Sequence, residues 1–509
     1  MTSTDNNKRI AKNTLFLYFR SIITLGIGLY TSRVVLGQLG LSDYGVYNVV
    51  GSVIVLFSFL QNAMSNATSR FFTFDLGTGD FEKLKKTFNL SVVIHIFTAF
   101  IILILGETIG LWFLNTQLVI PAERMGTANF VYQLSIISTC IGIMQTPYVV
   151  TISAHERMKV FAYAGLADSV LRLVVALALG FAAFDKLGFF AFLLLLVYLI
   201  MTLFYQIYCH RNFPETHFKW FWDKKMFWER MAFSGWTTFG GISAVAAIQG
   251  VNMLLNVFHG VVVNAAFAVM QQVSNTVVQF TNNITTAISP QITKSYAKND
   301  FDYLHSLIFR SVKFMYFLVF ALSIPLILNM DFILSLWLKT VPPFAVVLCQ
   351  WILVYNLICT FNNAINISII ATAKIKKLQI MAFVFSASNF ITIYFLFKNG
   401  FSPQIIPVVY SIIAVLGIIF SFYLAKSYIR FPLIKFCKDI LVKIVLVTCI
   451  VLPLPFALSF YFKGWQNLLL TVGAFFILYI PCVFLIGLST SERNFLIQKI
   501  MTLLQYKNN

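Results

Sequence analysis

The sequence predicts an all-α polytopic membrane protein with about 14 transmembrane helices, and three observations support this prediction. Of 509 residues, 59% are hydrophobic and only 11% are charged, against roughly 25% charged residues in a soluble domain. Apolar stretches of about 20 residues, the length that crosses a ~30 Å hydrocarbon layer, recur along the chain. Basic residues are dense in alternate connecting segments. The composition excludes a disordered chain, a disulfide scaffold and an ordinary cytosolic enzyme.

Fourteen stretches are predicted as spans, and twelve spans is the alternative. They lie at 15–36, 44–69, 88–114, 128–152, 160–183, 188–209, 233–258, 261–289, 306–329, 342–370, 378–397, 403–425, 440–462 and 466–488. The second, eighth and tenth are long and polar, so a plain hydropathy count could miss them. Lys8, Arg9 and Lys12 precede the first stretch, which has no small-residue cleavage site. We therefore expect an uncleaved helix rather than a signal peptide.

The placement of basic residues favours an even number of spans with both termini in the cytoplasm. With that orientation, the inside segments hold 26 Lys and Arg residues, the outside loops hold five and the spans hold six. An excess of Lys and Arg is typical of cytoplasmic loops. The net charge is +19, but the basic residues are spread over eight short cytoplasmic segments rather than one patch, so no nucleic-acid partner is expected.

An internal repeat predicts the domain organisation. Segment 80–84 recurs as 300–304 with the pattern Asp-Phe-x-x-Leu, and 154–157 matches 373–376. Six spans per repeat give both copies the same orientation, so we expect two six-helix lobes related by a pseudo-two-fold axis along the membrane normal. Two lobes facing each other would enclose a cavity, which is a transporter architecture. The predicted parts are an N-terminal lobe (1–209), a cytoplasmic interfacial linker (210–231), a C-terminal lobe (232–428) and two additional helices with a cytoplasmic tail (429–509).

Polar side chains within the spans predict the lining of that cavity, because polar groups facing lipid are costly. Side chains at steps of three and four share one helix face. The candidates are Asn48, Asn62, Asn66 and Arg70 from the second span, Gln249, Asn252 and Asn256 from the seventh, Gln272, Asn275, Gln279 and Asn283 from the eighth, and Asn356 and Asn363 from the tenth. Amides both donate and accept hydrogen bonds, which suits a hydroxyl-rich ligand such as a glycan. Hydrogen bonding between packed spans is the alternative.

Five charged residues within spans are further candidates. Arg20 lies in the first span with no acidic residue one helical turn away, so we expect contact with an anionic ligand, a salt bridge or snorkelling. Arg33 lies near the outer end of the same span. Asp168 and Arg172 are four residues apart on the fifth span and can pair. Asp168 and Glu107 are the candidate coupling residues, although a structural ion pair and an interfacial position are the simpler interpretations.

No enzyme, cofactor or metal signature is present. The chain lacks a Walker-type glycine loop, and the dipeptide His155-Glu156 lacks the second histidine of a zinc protease. The seven cysteines are scattered, without the clustered spacing of a zinc or disulfide site. The predicted outside loops have about a dozen residues or fewer, which is too short for an external catalytic centre. We therefore expect a protein that is not an enzyme and needs no cofactor.

The segment 33–45, Arg-Val-Val-Leu-Gly-Gln-Leu-Gly-Leu-Ser-Asp-Tyr-Gly, resembles the first inter-helix signature of bacterial polysaccharide flippases. These are the O-antigen and capsule exporters of the multidrug/oligosaccharidyl-lipid/polysaccharide (MOP) superfamily. Segment 62–70, Trp112 and Trp337 at helix ends and the 6+6+2 layout resemble it too. The resemblance implies alternating access in the bacterial inner membrane, for surface polysaccharide assembly.

The resemblance also implies the cargo, an undecaprenyl-diphosphate-linked oligosaccharide, together with contact to membrane lipids. A polymerase and glycosyltransferases of the same pathway are the implied protein partners. Relatives carry cationic residues for the diphosphate, and Arg20 matches best by position, with Arg172 a looser match. The predicted polar stripe of the second lobe contains no Lys or Arg, which leaves its contact with the anion open.

Three other interpretations compete with this one. A multidrug extruder of the same superfamily would need a buried acidic site, for which only Asp168 and Glu107 could serve. A major-facilitator transporter would carry a Gly/Asp/Arg-rich motif between spans two and three, which 70–89 lacks. A membrane glycan polymerase or ligase would need a longer external loop.

Overall fold

The structure is a computed structural model that describes residues 3–55, 58–116, 120–181, 185–259, 261–338, 341–490, 492–494 and 497. The described residues are helical, with no β-strand among them. Two predicted cavity residues, Asn48 and Asn256, lie outside the described side chains. The α-helices are α1 (Ser3–Val55), α2 (Ser58–Thr78), α3 (Phe81–Leu105), α4 (Leu111–Thr116), α5 (Met125–Ala154), α6 (Met158–Ala178), α7 (Lys186–Asn212), α8 (Lys224–His259), α9 (Val261–Ala297), α10 (Phe301–Leu328), α11 (Met330–Trp337), α12 (Ala345–Ala371), α13 (Lys376–Lys398), α14 (Ile405–Ile429), α15 (Leu433–Phe436), α16 (Val442–Val451), α17 (Pro453–Tyr461) and α18 (Gly464–Cys482).

Twelve helical stretches within the described ranges are long and apolar enough to cross a membrane, which confirms the prediction of an all-α polytopic membrane protein. The two predicted spans that are absent from these twelve are the second and the eighth. Both are nevertheless helical, as the end of α1 with α2 and as α9. The tenth span, α12, is among the twelve in spite of its polar side chains.

The predicted connection between the first two spans is a kink rather than a loop. Helix α1 runs through the first connection, and only Gly40 departs from helical geometry, with φ 74° and ψ 173°. A positive φ costs glycine little because it has no Cβ. Gly40 therefore turns the chain between two helical segments without a separate loop.

Left-handed residues at matching loop positions support the internal repeat. Gly79 (φ 77°) and Asn299 (φ 57°) precede α3 and α10 at an offset of 220 residues. The turn between α5 and α6 contains Glu156 at φ 59°, and the turn between α12 and α13 contains Ala373 at φ 61°. Each of these turns thus contains one left-handed residue two positions after the preceding α-helix.

The chain packs as two compact units, each of which combines separate stretches of sequence. Unit 1 comprises Met1–Ile242, Thr286–Asp300 and Ala373–Gln379, and unit 2 comprises Ser243–Thr285, Phe301–Thr372 and Ile380–Asn509. Two short segments from the second half of the sequence, the end of α9 and the turn before α13, therefore belong to unit 1.

Glu156 attaches the end of α9 to the rest of unit 1. Its side chain is 1% exposed, and its carboxylate accepts hydrogen bonds from Gln291 Nε2 and Lys294 Nζ, both at 2.7 Å. Asn13 Nδ2 donates to the Glu156 carbonyl at 3.5 Å. The backbone of α2 comes close at Gly77, where a Cβ would lie 2.9 Å from Lys294 Cα. The buried ionic contact thus holds the end of α9 against the turn between α5 and α6, and Gly77 allows α2 to approach α9 closely.

The connection between α7 and α8 (213–223) packs on unit 1 through polar contacts. The Lys219 backbone N–H donates to Asn89 Oδ1 at 2.9 Å, and His155 Nε2 lies 2.6 Å from Glu215 Oε1. The His155 ring also stacks on Phe213 at 4.3 Å. Burial raises the pKa of Glu215, but its hydrogen bonds, first with His155, more than compensate and hold that pKa below its usual value. Four aromatic side chains near this connection are exposed, namely Phe218, Trp220, Trp222 and Trp228.

The additional C-terminal helices pack on α10 within unit 2. Asn329, which follows α10, donates from Nδ2 to the Thr471 hydroxyl of α18 at 2.9 Å. The Tyr479 hydroxyl donates to the Phe317 carbonyl at 2.8 Å. Hydrogen bonds of this kind hold helices together where an apolar surround gives little drive for association.

Candidate functional site

Arg20 is a cation within a membrane-spanning helix of unit 1. Its guanidinium carbon lies 4.8 Å from the centroid of the Phe161 ring on α6, in the range of a cation–π contact. A Cβ at Gly165 would lie 2.8 Å from Arg20 Cδ, so this glycine makes room for the side chain. No described residue accepts a hydrogen bond from Arg20 or forms an ion pair with it. Arg20 is therefore positioned by an aromatic ring and a glycine, without a described anion.

Asp168 and Arg172 form an ion pair on α6. Arg172 Nε donates to Asp168 Oδ2 at 2.9 Å, and both side chains are 33% exposed. The Arg172 guanidinium also lies 5.1 Å from the Tyr198 ring centroid. The buried Tyr205 hydroxyl interacts electrostatically with both Asp168 and Arg20. Arg20 and the ion pair are thus linked through Tyr205, and we call these residues the Arg20 cluster, which contains two cations and one carboxylate.

The two other charged candidates lie apart from the Arg20 cluster. Arg33 is exposed on α1. Glu107 lies in the π-helical turn Gly106–Gly110 and accepts from Gln133 Nε2 at 3.0 Å. No described hydrogen bond or ion pair joins either residue to the Arg20 cluster.

The candidates on α2 have two kinds of environment. Asn62 and Asn66 are exposed. Arg70 is 9% exposed, with its guanidinium 4.6 Å from the Phe71 ring centroid and 4.7 Å from the Phe74 ring centroid. Packing against two rings gives Arg70 a structural environment rather than an open one.

A cavity of about 390 Å³ lies within unit 2, between α8, α9, α10, α12, α13 and α14. Its polar lining consists of amides, hydroxyls and one thiol, and no charged residue lines it in the described part of the chain. The polar residues are Gln271, Ser274, Asn275, Thr281, Asn282, Tyr355, Asn356, Cys359, Asn363, Ser386, Asn389 and Tyr410. We call this space the unit-2 cavity.

Of the four α9 candidates, only Asn275 lines the unit-2 cavity. Gln272 instead faces a smaller, mostly apolar recess of about 200 Å³, Gln279 is exposed, and Asn283 is 3% exposed. The sequence stripe missed Gln271 and Asn282, which line the cavity. Since successive helix residues differ by about 100°, choosing position 272 instead of 271 selects a neighbouring face.

Helix α8 contributes apolar rather than polar residues to this cavity. Its lining residues are Ala244, Ala247 and Ile248. The predicted Gln249 is exposed and Asn252 is half-buried, and neither lines the cavity. On α12, the candidates Asn356 and Asn363 both line it.

Several polar groups of the unit-2 cavity have no partner among the described residues. Ser274 and Asn356 bond each other, with Ser274 Oγ donating to Asn356 Oδ1 at 3.1 Å. The side chains of Gln271 and Asn363 have no described hydrogen bond. The buried Oδ1 of Asn389 also lacks a described donor. Buried polar groups are normally satisfied, so these amides are available to water or a ligand.

Comparison with solved structures identifies the fold. An outward-facing multidrug resistance MATE family transporter of the MOP superfamily is similar over 84% of this chain and 96% of its own, with 13% identity and a TM-score of 0.73. A MATE in complex with MaD3S is similar over 84% of this chain and 97% of its own, with 14% identity and a TM-score of 0.71.

A MOP superfamily transporter from Pyrococcus furiosus, described as having a binding pocket of reversed polarity that suggests a different function, is also similar. It covers 84% of this chain and 96% of its own, with 13% identity and a TM-score of 0.70. No family model matches the sequence, and no curated protein is similar to it in sequence. The chain therefore has the fold of the MATE transporters.

Proposed function

We propose that the protein is a transporter of the bacterial inner membrane that moves an undecaprenyl-diphosphate-linked oligosaccharide across the bilayer by alternating access, for surface polysaccharide assembly. The MATE-like fold supports membrane transport. The resemblance of segment 33–45 to polysaccharide flippases supports the choice of cargo. In this proposal both termini are cytoplasmic, membrane lipids contact the exposed aromatic residues of 213–231, and a polymerase and glycosyltransferases act in the same pathway.

The observation that carries the proposal is Arg20. A cation within a span is costly and marks a functional site by default, and no described carboxylate compensates it. A guanidinium binds phosphate oxygens through two parallel hydrogen bonds. The Arg20 cluster, with two cations and one carboxylate, retains one positive charge for an anionic group such as a diphosphate.

Multidrug extrusion is the second candidate function, favoured by the similarity to MATE structures. A cationic drug needs an available acidic group in the membrane. The carboxylate of Asp168 is paired with Arg172, and Glu107 accepts from Gln133. These contacts favour an anionic substrate over a cationic one.

We also infer that the protein is not a glycan polymerase or ligase. The longest segment between consecutive α-helices is 213–223, and it packs on α3 through Asn89. Segments this short offer little room for an external catalytic centre.

The proposal is tested by substituting Arg20 in a strain whose surface polysaccharide depends on this protein. Arg20→Ala should abolish surface polysaccharide at unchanged membrane abundance, and Arg20→Lys should retain part of it because a lysine acts as a point charge. Gly165→Ala should reduce export by displacing Arg20. Arg211→Ala, an exposed cation on α7, serves as the matched control.

Three outcomes would contradict the proposal. The first is full export by Arg20→Ala at normal abundance. The second is an equal loss in Arg211→Ala. The third is export that survives Arg20→Ala together with lost resistance to cationic drugs, which would favour the multidrug function.

A further inference from the structure

We propose that the unit-2 cavity is a binding site for one uncharged sugar residue. The inference rests on the proposed function only in taking that sugar from the transported glycan. Neutral lining, unpartnered amides and size each define the ligand class.

The neutral lining excludes a charged ligand. No described lining residue is Asp, Glu, Lys or Arg. Moving an ion out of water costs far more than moving a neutral polar group unless a counter-charge awaits it. The ligand is therefore neutral, unlike a diphosphate or a cationic drug.

The unpartnered amides require a ligand that both donates and accepts hydrogen bonds. Gln271, Asn275 and Asn363 have no described partner, and the buried Asn389 Oδ1 needs a donor. An amide carries two N–H donors and one carbonyl acceptor. A sugar hydroxyl can serve either group, so a ring with several hydroxyls satisfies amides on different helices at once.

Size and the aromatic lining fit a single sugar ring. At about 30 Å³ per water molecule, a cavity of about 390 Å³ corresponds to roughly a dozen waters, which is space for one hexose together with several waters. Tyr355 and Tyr410 line it with ring centroids 5.8 Å apart and an interplanar angle of 54°. These rings offer apolar faces to the C–H groups of a sugar.

Cys359 makes the proposal testable, because it is a native thiol in the cavity lining. In a transport-competent variant retaining only this cysteine of the seven, we would measure its rate of modification by methyl methanethiosulfonate. Glucose, galactose and N-acetylglucosamine at 100 mM are the neutral probes, and glucuronate and glucosamine are the charged ones. For a Kd of about 10 mM, a neutral sugar should slow modification about tenfold by mass action.

Two substitutions separate recognition from structure. Asn389→Leu should remove the protection by neutral sugars while Cys359 still reacts. Asn399→Leu replaces an exposed amide just beyond the same helix, α13, and should retain the protection.

Several outcomes would overturn the proposal. They are no protection by any neutral sugar, equal protection by the charged sugars or by sodium chloride alone, and a Cys359 that never reacts during export. Each leaves the proposed function intact if Arg20→Ala still abolishes export. Conversely, sugar protection together with full export by Arg20→Ala would refute the function and leave the sugar site.

Discussion

The contact of Glu156 with α9 allows a quantitative prediction for the stability of unit 1. Its carboxylate is 1% exposed and holds both Gln291 Nε2 and Lys294 Nζ at 2.7 Å. Glu156→Ala removes one acceptor from each group, and the Lys294 side chain that loses it is only 19% exposed.

The magnitude follows from the burial of the two partners. Breaking a fully buried ion pair costs about 3–5 kcal/mol, and an exposed pair contributes about 0.2–1 kcal/mol. Since the carboxylate is buried and the ammonium is partly exposed, we expect Glu156→Ala to cost about 2–3 kcal/mol. At about 2–4 °C per kcal/mol for a unit of this size, the Tm should fall by about 4–12 °C.

Glycine substitutions separate the ion pair from the backbone. Glu156 lies at φ 59° and Ala373, its counterpart in the repeat, at φ 61°. A left-handed conformation costs a non-glycine residue about 1–2 kcal/mol, part of which glycine loses again through its greater freedom in the unfolded chain. Glu156→Gly should therefore lower the Tm somewhat less than Glu156→Ala, and Ala373→Gly should leave it unchanged or slightly higher.

Thermal unfolding of the purified protein in detergent, followed by circular dichroism, gives these Tm values. A Tm of Glu156→Ala within 1 °C of the wild type would refute the assignment of the contact as stabilising. An equal drop in Ala373→Gly would show that the backbone of such turns, rather than the ion pair, determines the stability.

Two further predictions concern unit 1. Gly77→Ala should lower the Tm, because the new Cβ would lie 2.9 Å from Lys294 Cα. Gly241→Ala is the control and should leave the Tm unchanged, because its Cβ would meet no atom within 4 Å. Equal Tm values for the two variants would contradict the close approach of α2 to α9. The pKa of Glu215 is lowered in the folded state, so its contribution is fully present above the unfolded pKa of ~4.3 and is lost as the pH falls through the folded value. The Tm of Glu215→Gln should therefore decline less steeply than that of the wild type below about pH 4.5, and His155→Phe should also make the decline less steep. An equally steep decline in the wild type and Glu215→Gln would contradict this prediction.

The helices could be predicted from sequence because each span has a pattern of apolar residues that extends over about twenty positions. The position of the connection near Gly40 and the repeated loops could also be found, since glycine and matching motifs mark them, but the sequence did not show that this connection is a kink within one helix. The lining of the unit-2 cavity could be predicted only in part, through Asn275, Asn356 and Asn363, because lipid-facing and core-facing helix surfaces are both apolar. Gln271 and Gln272 are adjacent and chemically identical, so only packing determines which one faces the cavity.

Contacts between residues far apart in sequence could not be predicted either. The dipeptide His155-Glu156 carries no recognisable motif, yet the structure pairs His155 with Glu215 and Glu156 with Lys294. These partners are 60 and 138 residues away in sequence. Asn389 gave no signal either, being an isolated amide in an apolar helix. For Arg20, the sequence could exclude an acidic neighbour on its own helix but could not show Phe161 beneath it.

The repeat explains why the Arg20 cluster occurs once. Gly79 and Asn299 are equivalent at an offset of 220 residues. The same offset makes Gly240 in α8 the equivalent of Arg20 in α1. Phe161 is the fourth residue of α6, and Gln379 is the fourth residue of α13. A Cβ at Gly240 would overlap Oε1 of Gln379. Where α8 meets α13, the side chain therefore comes from α13 and is a neutral amide, whereas where α1 meets α6 it comes from α1 and is the Arg20 cation.

The cation of the first half is thus replaced in the second by a glycine, and the amide of Gln379 occupies the space next to it. The same scaffold carries a charge in one copy of the repeat and neutral amides in the other. This division suits a cargo with one charged end and one neutral end, whereas a pair of identical sites would suit a symmetrical or uniformly charged one.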